Sequence, residues 1–443
     1  MTKHYGNHTI KGLIEVALPL ILSIFGWTFM ITIDRLMLAR YDMEMMNVVV
    51  AIGTLIGLFE WSTNTIAVTS EIFSGQFNGL DKKDMVPTAS WQMLFFSFLC
   101  IIIFVPIGFF GGEYLIPAKY YEKGNEFFKI LMCFLFFSPA TGSINGFFIG
   151  IKKTKIILFN TIFGNLLNLV LSYTFIFGVK DVLEPMGAAG AAMATSIALG
   201  VQFLVIFLVF ISKGFNQKYQ TRKFHFNSMI TIQCLKVGIP SSIGLIIEMT
   251  GNYVVQLLIV NMLSQYESNH NIALNIFILL TFFINGLHKS VSGLAANLIG
   301  RREFYLLDDL LKSAIILHLS FSFLVVILTT ILAEPIANLY TQDPEIVKFA
   351  KLTLPWVGAY FFLDGLGWTI SGMTIAGGDT KFVMYVNAFV IWGFKVLPLF
   401  TLLYFNITYV SLGWVISALS AFIYAAIFIY RYKSNAWLKL KLS

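Results

Sequence analysis

The first long apolar segment of the chain reads GLIEVALPLILSIFGWTFMITIDRLML and occupies residues 12–38. At a rise of about 1.5 Å per residue, a helix of this length crosses the ~30 Å hydrocarbon layer of a bilayer. Such segments fold as helices because lipid offers the backbone no hydrogen-bond partners, and the ten-residue alternating segments of an outer-membrane barrel are absent. Eleven similar blocks follow, at 46–74, 88–111, 127–150, 156–178, 187–212, 234–263, 270–298, 311–334, 346–375, 383–405 and 409–431. The sequence therefore predicts an all-α polytopic membrane protein with twelve transmembrane helices.

The composition agrees with a membrane protein and argues against other classes. Apolar residues make up 57% of the chain and charged residues 12%, whereas a soluble domain is about 25% charged. The three cysteines are odd in number and lie in or beside apolar blocks, which argues against a disulfide framework or a zinc site. The first apolar block is too long for a signal-peptide core and lacks a typical cleavage site, so no cleavable signal is expected.

The net charge of +7 favours a membrane surface over nucleic acid because the basic residues flank the spans. If both termini are cytoplasmic, 20 of the 30 Lys and Arg residues lie inside and 8 outside, as the positive-inside rule requires. We therefore expect a multi-pass protein of the cytoplasmic membrane. The polar stretch 213–233 divides it into an N-lobe (1–212, spans one to six) and a C-lobe (234–443, spans seven to twelve). This stretch is a cytoplasmic linker or, equally well, a small helix on the membrane surface.

The two halves also resemble each other. Pro19 in span one matches Pro240 in span seven at an offset of 221 residues. Five identical positions, at an offset of 226, are shared by SINGFFIGIKKTK (143–155) and TISGMTIAGGDTK (369–381). Gly190, at the start of span six, corresponds to Gly413 at the start of span twelve. Since each half holds an even number of spans, we predict two pseudo-symmetric six-helix bundles related by an axis along the membrane normal.

Seven segments together resemble the MATE (multidrug and toxic compound extrusion) family, and the resemblance covers about residues 10–432. They are ALPLILSIFGWTFMITIDRLMLAR (17–40), SGQFNGLDKKDM (74–85), GNLLNLVLSY (164–173), MGAAGAAMAT (186–195), GIPSSIGLIIE (238–248), YFFLDGLGW (360–368) and AGGDTKFVMYVN (376–387). The resemblance implies an antiporter, not an enzyme, that exchanges Na⁺ or H⁺ for amphiphilic and often cationic organic compounds. Its expected partners are small organic substrates and the lipid bilayer, with no nucleic acid and no cofactor besides the coupling ion. We expect a monomer.

A carboxylate within a span costs at least ~2.5 kcal/mol at the bilayer centre, so it should have a function. Asp34, in the outer part of span one, is such a residue unless it is an interfacial charge paired with Arg35. The resemblance implies that Asp34 is the N-lobe acid of a cation or proton site completed by Asn168, Ser172 and Thr195. Many family members have Asp at the Ser172 position, so here one formal charge remains in this lobe.

The C-lobe carries Glu248 in span seven and Asp364 in span ten, with Tyr360 one turn before Asp364. The resemblance implies that these three residues form a second cation or proton site. The alternative is a buried ion pair, for which Lys289 in span eight is a candidate partner. Either site also suits Na⁺, because its ligands are hard oxygen atoms.

Three further charged residues lie in or near spans without matching a family pattern. Glu60, near the middle of span two, is a candidate additional coupling site together with Lys289. Glu71 lies near the cytoplasmic end of the same span, where we expect solvent to reach it. Lys395, just before Pro398, is expected either to snorkel to the membrane surface or to neutralise Glu60.

Two other functions compete with antiport. A lipid-linked oligosaccharide flippase of the same superfamily would need a strongly cationic cavity, whereas this chain places acids in the matched spans. A membrane-embedded transferase would need a catalytic constellation, but the six histidines show no catalytic spacing. No nucleotide-binding P-loop pattern is present, and AGGDTK (376–381) follows an apolar helix rather than a strand, as a turn between spans does.

Overall fold

A computed structural model describes residue 6 and residues 8–260 and 264–438. The described residues are almost entirely helical and form no strand, apart from one isolated bridge between Val179 and Leu183. In the described part of the chain, twelve helices are long and apolar enough to cross a membrane. We number them α1 to α12: Ile10–Tyr41, Met43–Gly79, Thr88–Phe110, Ala118–Gly150, Thr154–Phe177, Gly187–Phe210, Ser228–Ile259, Ser268–Arg301, Phe304–Ile331, Pro344–Ala376, Thr380–Tyr404 and Leu412–Lys433.

The predicted spans coincide with these helices, one to one, so the prediction of twelve helices is confirmed. The largest difference is at α4, which begins at Ala118 rather than at 127 because its first turns are amphipathic and rich in charge. The end of the seventh predicted span, 261–263, lies outside the described residues, as do three of the basic residues that set the predicted orientation (Lys3, Lys439 and Lys441).

Several helices are interrupted. A turn at Thr69 divides α2 into Met43–Val68 and Ser70–Gly79, and α4 is divided into Ala118–Phe134 and Phe137–Gly150. Within α11, residues Ile391–Val396 form a π-helix between two α-helical segments. Such π-helical turns are rare and occur often at functional sites.

The chain divides into two compact units, each with its own apolar core. The first unit is Leu18–Ser242, and the second is Ile243–Ser443 together with the start of α1 up to Ala17. In the first unit, α2, α3, α4 and α6 bury residues that include Val48, Ile52, Phe104, Phe128 and Ala192. In the second, α8, α10 and α12 bury residues that include Ile272, Leu354, Val357, Trp414 and Ala418.

Small residues allow α4 to approach α2 closely. A Cβ atom at Gly146 would lie 2.7 Å from the backbone nitrogen of Glu71, which is closer than real Cβ contacts. One turn earlier, Gly142 leaves room for the amide of Asn64. Close backbone approach at small residues is the usual way in which membrane helices pack, and here it brings the polar side chains of α2 against α4.

The stretch 213–233 begins with the short helix Lys213–Tyr219 and is held by α3. The buried side chain of Gln92 donates a hydrogen bond to the carbonyl of His225 (2.8 Å) and accepts one from the backbone nitrogen of Asn227 (3.2 Å). Trp91 adds a hydrogen bond from its indole nitrogen to the carbonyl of Thr221 (3.0 Å). This stretch therefore packs as part of the first unit.

Candidate functional site

The first unit brings the predicted N-lobe residues together. Asp34 of α1 faces Asn168 of α5, whose amide nitrogen, when oriented to satisfy its neighbours, lies 3.1 Å from both carboxylate oxygens. The other end of the same amide lies 3.4 Å from the hydroxyl of Thr195 on α6. Asn168 and Ser172 share a helical face, as their i, i+4 spacing predicts, and both are fully buried. The cluster therefore joins three helices around one carboxylate.

The Asp34 carboxylate retains capacity for a ligand. Ser172 approaches it, yet the Ser172 hydroxyl makes no hydrogen bond of standard geometry within the described part of the chain. Among the described residues Asp34 forms no ion pair, and Arg35 is exposed. A proton or a small cation bound at this cluster would contact one carboxylate and the neighbouring hydroxyl oxygens.

The second unit contains a small, partly open polar cavity between α7, α10, α11 and α12. Its volume is about 30 Å³, close to the space that one water molecule occupies. Both predicted acids and the predicted tyrosine line it, with further polar groups from α7, α11 and α12: Glu248, Asn252, Tyr360, Asp364, Asn387, Lys395 and Tyr424. We call this the Glu248–Asp364 cavity.

Regular helical spacing aims these side chains inward. Tyr360 and Asp364 are one turn apart on α10, and the Tyr360 hydroxyl donates a hydrogen bond to the Asp364 carboxylate. The amide nitrogen of Asn387, which is 4% exposed, lies 3.5 Å from Glu248. The amide oxygen of Asn387 has no hydrogen-bond partner among the described residues. It therefore remains available to a proton donor or a cation.

Lys395 is the cation of this cavity. Its ammonium group donates a hydrogen bond to Asn252 (2.7 Å) and lies 4.9 Å from the centre of the Tyr360 ring, in a cation–π contact. It interacts electrostatically with both Glu248 and Asp364, but no N···O distance of 4.0 Å or less joins it to either acid among the described ion pairs. The two acids therefore have a lysine nearby but form no direct ion pair with it.

This arrangement corrects the prediction for Lys395 and leaves the role of Lys289 a prediction. Lys395 is 7% exposed, so it does not snorkel to the membrane surface, and the acids that it interacts with in the second unit are Glu248 and Asp364. Lys289 is half-buried on α8 and is not among the described residues that line the cavity. The lysine that lines the cavity with the C-lobe acids is therefore Lys395, which the sequence had not assigned to them.

Glu60 belongs to a separate cluster in the first unit. Ser138 of α4 donates a hydrogen bond to the Glu60 carboxylate (2.8 Å), and the Asn64 amide donates one to Ser138 (3.3 Å). Ser138 precedes Asp364 by 226 positions, the same offset that relates the matched ends of α4 and α10. Glu71, expected to be solvated, is instead 5% exposed. Glu60 thus lies against the position in the first repeat that corresponds to Asp364.

Sequence reasoning missed Asn252, Asn387 and Tyr424. Asn252 follows Glu248 by four residues, so its place on the same helical face was predictable from spacing. Asn387 lies in the family-like segment AGGDTKFVMYVN without having been singled out. Among the described residues no group of three or more His, Cys, Asp or Glu side chains could hold a metal ion; a small cation would be bound by one or two carboxylates with amide and hydroxyl oxygens.

Known proteins resemble this chain over nearly its whole length. The sequence model of the MatE family matches residues 19–174 and again residues 240–401. The second match begins 221 residues after the first, which is the offset between Pro19 and Pro240. One model thus matches each half of the chain once, as an internal repeat predicts.

Two curated relatives and one solved structure illustrate the likeness. The chain is 24% identical over 398 residues to "Probable multidrug resistance protein NorM" of Photorhabdus laumondii, covering 88% of this chain and 87% of the relative. It is 24% identical over 399 residues to "Multidrug resistance protein MdtK" of the same organism, covering 86% and 85%. A crystal structure described as a MATE protein in the straight conformation superposes with a TM-score of 0.88 at 18% identity, covering 97% of both chains.

Proposed function

Because this chain belongs to the MatE family of membrane transporters, we propose that it is a secondary active antiporter that exports organic, often cationic and amphiphilic, compounds in exchange for Na⁺ or H⁺ by alternating access. The names of its relatives support multidrug transport. We place it in the cytoplasmic membrane as a monomer with both termini in the cytoplasm, in agreement with the charge distribution of its loops.

One observation carries the proposal. Asp34, Glu248 and Asp364 lie within membrane helices among hydrogen-bond donors, and among the described residues none of them is in a direct ion pair. A charged carboxylate in such a place is costly unless a positive partner compensates it. These acids are therefore ready to accept a proton or a small cation, and a cationic solute gains free energy by approaching them.

Mutual exclusion converts this binding into exchange. If a coupling ion already neutralises an acid, an organic cation gains little by approaching it, and the reverse holds as well. Ligands shift a two-state transporter only through their difference in affinity for its two states. One charge crossing ~150 mV supplies about 3.5 kcal/mol, which sustains a gradient of roughly 300-fold for a neutral substrate.

The flippase alternative is less well supported. A cavity that binds a lipid-linked pyrophosphate needs an excess of positive charge, whereas the Glu248–Asp364 cavity contains two acids and one lysine. The cluster at Asp34 contains an acid and no basic side chain among its described members. Both sites suit positively charged ligands.

The proposal is tested with purified protein in proteoliposomes that carry ethidium, a flat organic cation. We expect an imposed Na⁺ or pH gradient to drive ethidium against its own gradient, and we expect Asp34→Asn, Glu248→Gln and Asp364→Asn to reduce that transport. Ethidium movement that neither gradient accelerates would reject antiport. Full coupling in all three variants would reject the assignment of the sites.

A further inference from the structure

Lys395 reaches the Glu248–Asp364 cavity through a specific backbone feature. It lies on the π-helical segment Ile391–Val396 of α11. Eight residues of regular α-helix would place Lys395 about 80° around the helix axis from Asn387, since each residue turns by ~100°. The wider π-helical turns rotate less per residue, which returns Lys395 to the side of the helix that Asn387 presents to the cavity.

The ammonium group is tethered at a distance from the acids. Asn252 accepts its hydrogen bond and the Tyr360 ring lies beneath it, so two neutral groups fix its position. The Tyr360 hydroxyl in turn binds Asp364. Lys395 therefore contributes its positive field to the cavity while the oxygens of Glu248 and Asp364 stay accessible to another ligand.

The charge of the cavity follows from its members. Two carboxylates and one ammonium group leave a single negative charge when all three are ionised. The other titratable side chains that line the cavity or interact with Lys395 are neutral phenols and an imidazole on α8, α10 and α12: Tyr360, Tyr424 and His270. One monovalent cation therefore neutralises the site.

The volume of the cavity limits the size of the cation that it can bind. Pockets that bind drug-sized ligands occupy about 300–1,000 Å³, whereas this cavity measures about 30 Å³. An organic cation does not fit, but a proton or a bare inorganic cation does. The Glu248–Asp364 cavity is therefore a site for the coupling ion rather than for the exported compound.

We propose that Lys395 is a built-in counter-ion that fixes the number of positive charges bound at the Glu248–Asp364 cavity, so that the cavity takes one monovalent cation in each transport cycle and would need two positive charges, such as a proton on each acid, without the lysine charge. This inference rests on the proposed antiport. It assigns to a residue outside the acids the number of ions that bind at this cavity in each cycle.

The test measures stoichiometry from flux reversal in proteoliposomes. At a clamped membrane potential, the ion gradient that just stops net ethidium movement gives the number of cations exchanged per ethidium. Separate arms use Na⁺ gradients at constant pH and pH gradients without Na⁺, which identifies the ion. Lys395→Gln keeps a hydrogen-bond donor for Asn252 but removes the charge, and Lys312→Gln, which removes the charge of an exposed lysine on α9, serves as the matched control.

We expect Lys395→Gln to exchange one more cation per ethidium than the wild type and to bind the ion at least about tenfold more tightly, because a nearby positive charge has been removed. Lys312→Gln should keep the wild-type stoichiometry. The double variant Glu248→Gln with Lys395→Gln again holds one negative charge and should return to the wild-type value.

The outcomes separate this inference from the antiport itself. Wild-type flux that is insensitive to both ions rejects antiport, whereas a coupled wild type with unchanged stoichiometry in Lys395→Gln rejects only the counter-ion role. If Lys395→Gln fails to fold but the charge-compensated double variant folds, the lysine acts through its charge, as proposed. If both fail to fold, Lys395 acts through packing and the proposal is wrong.

Discussion

Replacing Asp364 by Asn removes one negative charge from the Glu248–Asp364 cavity while keeping the size of the side chain. Asn still accepts the hydrogen bond of the Tyr360 hydroxyl, so we expect the fold to persist. With Lys395 in place, Glu248 alone balances the lysine and the cavity becomes neutral. A coupling cation then finds no net attraction there.

The size of this loss follows from Coulomb's law. A monovalent cation about 5 Å from the carboxylate is attracted by about 3 kcal/mol at an effective dielectric constant of ~20. Losing this interaction weakens binding of the coupling ion roughly 150-fold. The half-saturating concentration of that ion for ethidium transport in proteoliposomes should rise accordingly.

Asp309→Asn is the matched control, because Asp309 is exposed and pairs with Lys312 at the surface (3.6 Å). Exposed ion pairs contribute little free energy, so its half-saturating concentration should stay at the wild-type value. A shift of less than about fivefold in a folded Asp364→Asn protein would refute the charge balance inferred for the cavity.

Three other substitutions test separate parts of the account. Asp34→Asn removes the only formal charge of its cluster and should lower ion-driven ethidium transport at least about tenfold, as measured by initial rates; wild-type rates would exclude Asp34 from coupling. Glu60→Gln keeps the acceptor for the Ser138 hydroxyl, so the midpoint of thermal unfolding should stay at the wild-type value. If Glu60 is a third cation site, ion-driven ethidium transport should fall about tenfold in this variant. Unchanged transport would make Glu60 a structural residue. Arg431→Leu removes the 2.7 Å ion pair between Arg431 and the buried Asp379 and should destabilise the protein by about 3 kcal/mol, seen as a lower midpoint in thermal unfolding; an unchanged midpoint would contradict that contribution.

The helices were predictable because their signal is strong and local. Each span is an apolar block whose length is set by the bilayer, and the polar stretches between blocks leave little freedom for the boundaries. The acids Asp34, Glu248 and Asp364 stood out for the same reason, since charge is rare in such blocks. The constant offset of 226 residues between the matched segments relates α4 to α10 from the sequence alone.

The partners of those acids were harder to predict. The place of Lys395 depends on a π-helical segment that changes the rotation of α11, and no residue pattern in IWGFKV (391–396) indicates such a segment. Lys289 looked equally suitable because the sequence does not give the rotation of α8. The contact between Glu60 and Ser138 depends on how closely α2 and α4 approach, which their small residues permit without specifying the pairing.

The most direct test of the account is equilibrium binding of ethidium to the purified protein at increasing Na⁺ and at decreasing pH. If a coupling cation and an organic cation exclude each other at sheltered acids, the apparent Kd for ethidium rises in proportion to the concentration of the coupling ion, and saturating ethidium releases that ion. An ethidium Kd that is independent of both Na⁺ and pH, with no ion released on binding, would contradict the central claim.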